Sequence, residues 1–347
     1  MIVLLSGQIK NIGDFLITDR AKKLFEYFVD SDIVILDRTK KLNNQLDIIN
    51  KSRFVVLCGG PAYASNIYKG IYPLVDDLSL IKVPIIPFGL GWSGFPIGKP
   101  MDFKFNKESL DFLNSVHSSI DYSSCRDEIT ESVVKNNGFN NVKMTGCPVW
   151  YDLRYIDDSF TDFTAKNIVI TTPAAPRLFW QTIKLVALMK KEFPSAENFY
   201  MTFHRGIMPD KYTKFVTSIG YILMCIGSKV LIPKMKIRDV SYKMEKIDFY
   251  QEMDFHIGYR VHAHLYFLSQ RKPSVLINED GRGVGMVKTL GLPILNIDDK
   301  ELFNKIRNTL RTYKNNDIGD FKRVKKVFDE KFSVMKSFLA NLKTKYN

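Results

Sequence analysis

Apolar positions in the first half of the chain fall in short unbroken runs. Ile2–Ser6, Asp32–Leu36, Phe54–Cys58 and Pro84–Phe88 each fit a buried strand. Between such runs the apolar spacing changes to three and four. Phe15, Leu16, Ala21, Leu24, Phe25 and Phe28 predict one helix, and Gln45–Asn50 a short second one. Residues 107–117 and Asp127–Asn137 predict two more, the latter ended by Gly138; Ser118–Ser124 and Val142–Met144 read as strands. Near-continuous apolar strands alternating with helices predict a parallel sheet covered on both faces.

The second half repeats the alternation. Asn167–Thr171, Asn198–Phe203, Tyr221–Ile226, Phe255–Ile257, Ser274–Asn278 and Pro293–Asn296 read as strands. Leu178–Phe193, residues 209–218 and 240–251, Ala263–Gln270 and Val284–Leu290 read as helices, and two basic helices close the chain. The polar stretch within 151–166 interrupts the pattern and reads as a linker. The expected fold class is therefore α/β, with two doubly wound, Rossmann-like domains over 1–155 and 165–315 and a basic helix over 316–347. Such sheets bind ligands at the carboxyl ends of their strands, so the site is expected in the interdomain cleft.

A length of 347 residues suits two cores, and 45% apolar with 25% charged residues is the composition of a soluble globular chain. No apolar run is long enough for a transmembrane helix, and the apolar start reads as a first strand rather than a signal peptide. The four scattered cysteines suit a reduced, cytoplasmic setting. Charge refines this picture. Nearly all of the net +13 lies in residues 151–347, which hold 33 basic against 21 acidic residues. Such a field attracts anions: phosphorylated small molecules, or an anionic membrane surface at which the protein would sit peripherally. Nucleic acid fits poorly, because no aromatic platform interleaves the basic residues.

The chemistry concentrates at Gly258-Tyr259-Arg260-Val261-His262-Ala263-His264. A glycine turn there hands a strand to a helix, whose unpaired N–H groups and Arg260 form an anion pocket. His262 adds a group able to exchange protons near neutral pH, whereas His264 reads as packing inside the helix. No metal site is expected: His262-x-His264 lacks helical ligand spacing, and no cysteine or carboxylate cluster stands nearby. Other loops occupy strand ends. Asn11-Ile12-Gly13-Asp14 follows the first strand, with Asp14 as helix cap or base. Gly59-Gly60 and Gly89-Leu90-Gly91 are permissive turns. Arg177 stands at an expected helix N-terminus, against the helix dipole, which suggests a held anion facing the cleft. His204-Arg205 is a weaker case of the same kind.

In this order and spacing, the loops resemble those of the polysaccharide pyruvyl transferase family. The resemblance rests on Asn11–Asp14, Gly59-Gly60, Ser124–Glu128, Thr145–Pro148, the Arg260-x-His262 signature, and Asp280-x-Arg282 before Leu290-Gly291-Leu292. It implies a fold like that of the GT-B glycosyltransferases, with the first domain on the acceptor side and the second on the donor side. It also implies transfer of a pyruvyl group from phosphoenolpyruvate, as co-substrate without a further cofactor, onto two hydroxyls of a sugar in a cell-surface polysaccharide or lipid-linked glycan precursor. Arg260, with His262, is the family's signature pair, and Arg177 is the expected counterpart of a donor-site arginine.

The residues suit that reaction. Phosphoenolpyruvate carries a carboxylate and a phosphate, which Arg260 and Arg177 can bind, with Arg205 and Arg282 in reserve. His262 is the expected general acid and Asp14 the base, with Asn11, Gly13, Gly59 and Gly60 as acceptor or loop contacts. Two alternatives stay open. One is a GT-B-type glycosyltransferase using a nucleotide sugar, with Glu279 or Asp280 holding a sugar hydroxyl. The other is a non-catalytic sugar-phosphate binding protein.

Overall fold

The computed structural model describes residues 1–96, 98–315 and 317–346; Asn316 and Asn347, which bound the expected C-terminal helix, lie outside the described residues. In the first domain β1 (Ile2–Ser6), α1 (Ile12–Val29), β2 (Ile33–Asp37), α2 (Leu46–Asn50), β3 (Val55–Cys58) and β4 (Ile85–Phe88) follow in turn. After them come α3 (Lys107–Ser119), β5 (Ser123–Cys125), α4 (Glu128–Asn136) and β6 (Val142–Met144). The strands pair in parallel in the order β2-β1-β3-β4, and a bridge from Leu90 to Cys125 carries the pair β5-β6 onto this edge. Every residue of β1 and β3 is buried, as a strand covered on both faces requires.

The second domain holds β7 (Asn167–Thr171), α5 (Phe179–Glu192), β8 (Asn198–Phe203), α6 (Phe215–Leu231) and β9 (Lys236–Asp239). Then follow β10 (Phe255–Gly258), α7 (Val261–Ser269), β11 (Ser274–Leu276), α8 (Gly281–Thr289), α9 (Leu302–Lys314) and α10 (Gly319–Lys345). Its sheet is parallel, in the order β11-β10-β7-β8-β9.

Three stretches depart from the sequence expectation: 209–226, Pro293–Asn296, and 240–251, which forms a 3-10 segment over Met244–Glu252 rather than an α-helix. The expected helix over 209–218 and strand over Tyr221–Ile226 are replaced by a loop and the single helix α6. Buried Ser218, Tyr221, Met224 and Ser228 recur at helical spacing. Apolar residues also fill the opposite, outward face, so the run has no polar side to mark its period. The missing strand is β9, whose polar Lys-Ile-Arg-Asp sequence suits a sheet edge. The expected strand Pro293–Asn296 reduces to one bridge between Asn278 and Asn296.

Helix α10 crosses back onto the first domain. Phe328 stacks on Trp150, Phe332 meets Phe28 edge-on, and Phe338 stacks on Phe88. The domains are tied near the cleft by Ile12 N–H donating to the His204 carbonyl at 3.2 Å and by the ion pair Lys10–Asp210 at 2.6 Å. Within the first domain a buried ion pair joins Arg20 of α1 to Asp152 at 2.5 Å.

Candidate active site

Each sheet has one point where its strands run off to opposite sides: between β1 and β3 in the first domain, and between β7 and β10 in the second. The loops leaving these points face each other, which is where an α/β sheet opens a crevice. The β10–α7 junction is built by close approach. Gly258 has φ +147°, and a Cβ there would come within 2.4 Å of the Thr171 carbonyl oxygen. The strand therefore lies tight on β7. Tyr259 N–H donates to the Thr171 carbonyl, and Arg260 N–H donates to Thr171 Oγ1 at 3.2 Å. Arg260, at the cap position of α7, then donates to the Pro173 carbonyl at 2.9 Å, while its Nε finds no partner among the described residues.

The crevice has two lobes. The inner one, about 200 Å³, is walled by Arg260, His262 and Arg282 from the second domain and by Asn11, Asp14 and Arg38 from the first. The outer one, about 450 Å³, shares Asn11, Asp14, Ala174 and Arg205 with it and opens past Tyr212 and Tyr221. Among the described residues, five arginines line the inner lobe: Arg38, Arg126, Arg205, Arg260 and Arg282. Three carboxylates accompany them, and two are already engaged. Glu279 accepts the Ala174 N–H at 3.0 and 3.1 Å through its two oxygens. Asp280 accepts both the Arg282 N–H and its guanidinium at 2.9 Å, capping α8. Asp14 takes one bond from Asn11 Nδ2 at 3.1 Å. Burial raises the Asp14 carboxyl above its ordinary range, with Arg38 opposing.

Three histidines near this junction have different surroundings. His256 and His264 both point Nδ1 at Ser274 Oγ, each at 2.7 Å, and pack in the core. His262 faces the first domain: a methyl group on Gly13 would come within 2.6 Å of its Nδ1. Its Nε2 is sealed from solvent and finds no partner among the described residues. Burial, with Arg126 and Arg282 nearby, pushes the His262 pKa down to about 3. The ring is therefore neutral at neutral pH.

Not every expected contact forms. Arg177 is exposed on the 3-10 turn Pro176–Leu178 and lines neither lobe, whereas Ala174, three residues earlier, is held at the lobe by Glu279. Gly59 and Gly60 lie behind the wall. Gly59 accepts a long bond from Arg38 at 3.4 Å, and Pro61 is the residue of that turn that reaches the lobe. Arg38 and Arg126 were not among the candidates. Both directly follow strands, β2 and β5, so the strand-end rule would have found them. Arg126 has room only because residue 91 is glycine, where a Cβ would sit 2.0 Å from its Nε.

Two doubly wound domains closing on a crevice define a GT-B-like architecture. Solved structures agree. A putative UDP-N-acetylglucosamine 2-epimerase from Listeria monocytogenes superposes with TM-score 0.54 at 8% identity, covering 98% of this chain and 96% of its own. The S. aureus MnaA–UDP co-structure gives 0.53 at 10%, covering 94% and 90%. The Methanocaldococcus jannaschii UDP-GlcNAc 2-epimerase in complex with UDP-GlcNAc and UDP gives 0.51 at 12%, covering 94% and 97%. The search of curated protein sequences gave no match. The family model for polysaccharide pyruvyl transferase matches residues 11–281, and the chain belongs to this family of transferases.

Proposed function

We propose that the chain transfers a pyruvyl group from phosphoenolpyruvate onto two hydroxyls of a sugar, forming a ketal. The carrying observation is the excess of guanidinium over carboxylate around the small inner lobe, five against three, with two carboxylates already bound. Arg282 pairs with Asp280 and Arg126 with Asp127, and a small polyanion the size of phosphoenolpyruvate suits the excess that remains. Arg260, Arg282, Arg126 and Arg38 are the anchors for its phosphate and carboxylate. In this reading His262 protonates the methylene carbon of the donor, and a sugar hydroxyl adds to the central carbon while Asp14 takes its proton. Phosphate then leaves with the electron pair of the C–O bond, a second hydroxyl closes the ketal as its proton passes to the departing phosphate, and the proton on Asp14 returns to His262. His262 receives its proton together with the donor, whose negative charge opposes the neighbouring arginines.

A nucleotide-sugar donor would need a free carboxylate for a sugar hydroxyl. Of the candidates for that role, Asp280 is paired with Arg282 and Glu279 already accepts the Ala174 N–H, which favours the pyruvyl reading. The acceptor in this reading is a saccharide, free or lipid-linked, entering by the outer lobe, and the protein works in the cytoplasm, peripheral to a membrane. The test is thermal unfolding with phosphoenolpyruvate and, separately, with UDP-sugars. A ligand at 100 times its dissociation constant adds about 2.7 kcal/mol. Stabilisation by UDP-sugars with none by phosphoenolpyruvate would overturn the proposal.

A further inference from the structure

Helix α6 is apolar on two opposite faces. Its inner face packs on α5 and the turn before it so closely that a Cβ at Gly220 would meet Pro176 at 2.4 Å and one at Gly227 would meet Ile183 at 2.9 Å. Its outer face carries Phe215, Val216, Ile219, Leu223, Ile226 and Val230, all exposed. These positions fall within roughly a third of the helix circumference at 3.6 residues per turn. Phe215, Val216 and Val230 are 69%, 77% and 75% exposed. Trp180, 73% exposed at the start of the neighbouring α5, packs edge-on against Phe179, which in turn lies beside Gly227. A contiguous apolar surface of this kind marks an interaction site.

The surrounding charge selects the partner. From residue 211 to 238 the sequence holds Lys211, Lys214, Lys229, Lys234, Lys236 and Arg238 and no acidic residue. Helix α5 adds Lys184, Lys190 and Lys191 before its first carboxylate, Glu192. A symmetric pair of copies joined through this face would bring cation against cation. An anionic lipid surface complements it: apolar side chains enter the acyl boundary, lysines meet the headgroups, and tryptophan favours that interface. Among the described residues no helix is long and apolar enough to cross a membrane.

We propose that the outer face of α6, with Trp180, docks the protein on the surface of an anionic phospholipid bilayer. The surface differs from the basic C-terminal segment singled out in the sequence, where Phe328, Phe332 and Phe338 of α10 pack on the first domain. The first turn of α6 also borders the outer lobe, through Lys214 and Thr217. Docking therefore brings the mouth of the crevice to the headgroup layer, where a lipid-linked saccharide would be presented. That consequence rests on the acceptor reading above; the docking does not, because it needs no substrate.

The test is sedimentation of the full chain with vesicles of phosphatidylcholine alone and of phosphatidylcholine with phosphatidylglycerol, alongside light scattering without lipid. Binding to the anionic vesicles only is expected. The Val216→Asp/Val230→Asp double variant should weaken it by about tenfold or more, with its thermal unfolding unchanged. Lys184→Glu/Lys229→Glu should weaken it most at low salt. No sedimentation of the wild type with anionic vesicles would overturn the proposal. So would undiminished binding by the valine variant, or a wild-type dimer in solution that this variant dissolves. Because lipid binding is read without donor or acceptor, its failure is distinguishable from failure of the pyruvyl-transfer reading.

Discussion

Gly13 lies directly against His262, so closely that a Cβ at position 13 would stand 2.6 Å from the imidazole Nδ1. The contact joins the first turn of α1 to the first turn of α7 and fixes the spacing across the crevice. Gly13 sits inside α1, where alanine is the better helix former. Gly13→Ala should therefore leave thermal stability close to wild type while displacing the ring, lowering kcat by about 10²-fold. Unchanged kcat would show that the contact does not set the ring's position.

His262→Ala should remove transfer, a loss of about 10²–10⁴-fold, while phosphoenolpyruvate still stabilises the protein. In the wild type, calorimetry in buffers of different ionisation heat should show proton uptake on donor binding at pH 7. The reason is that the ring starts neutral, with a pKa of about 3, and gains its proton as the donor's charge arrives. The variant should show less uptake; an equal value would place the proton elsewhere.

Arg260 and Arg177 give a paired comparison. Arg260→Lys keeps a charge but loses the fork that reaches both Pro173 and the lobe, so donor affinity should fall by about 10–100-fold. Arg177→Ala should change affinity little, because Arg177 is exposed and lines neither lobe. A larger loss from Arg177→Ala than from Arg260→Lys would contradict the site as built.

Gly91→Ala tests how Arg126 is seated. The added methyl would meet the guanidinium at 2.0 Å, where Arg126 also pairs with Asp127 at 3.0 Å. Overpacking there should cost about 1–3 kcal/mol in a urea melt and weaken donor binding as well. Loss of stability with donor affinity intact would confine Arg126 to a structural role.

All five histidines have pKa values lowered by burial, His262 and His264 to about 3. A neutral buried histidine binds fewer protons folded than unfolded, so stability is full above the unfolded pKa of about 6.5 and falls as the pH drops below it. Each can contribute up to about 1.4 kcal/mol per pH unit in that window. Asp14 and Glu279, raised by burial, act in the opposite sense at lower pH. Urea midpoints should therefore decline between pH 7.5 and 5; a flat or rising profile would refute the neutral-histidine assignment.

The alternation of apolar runs and helical spacing was enough to read two parallel α/β domains, because strands buried on both faces must be apolar throughout. The same rule misread α6, which is apolar on two faces, and hid β9, a polar edge strand. Asn11, Asp14, Arg205, Arg260 and His262 were legible in strand-end loops and Arg282 through the family resemblance, and all six line one crevice. What only the tertiary structure decided was direction. Ala174 is held at the lobe by Glu279 while Arg177, three residues on, is exposed, and Arg38 and Arg126 reach the lobe from strands far apart in sequence. Residue type and local spacing fix which groups a chain can offer. Which of them meet depends on packing between elements over a hundred residues apart, as with Gly13 against His262, and one-dimensional spacing carries no record of that.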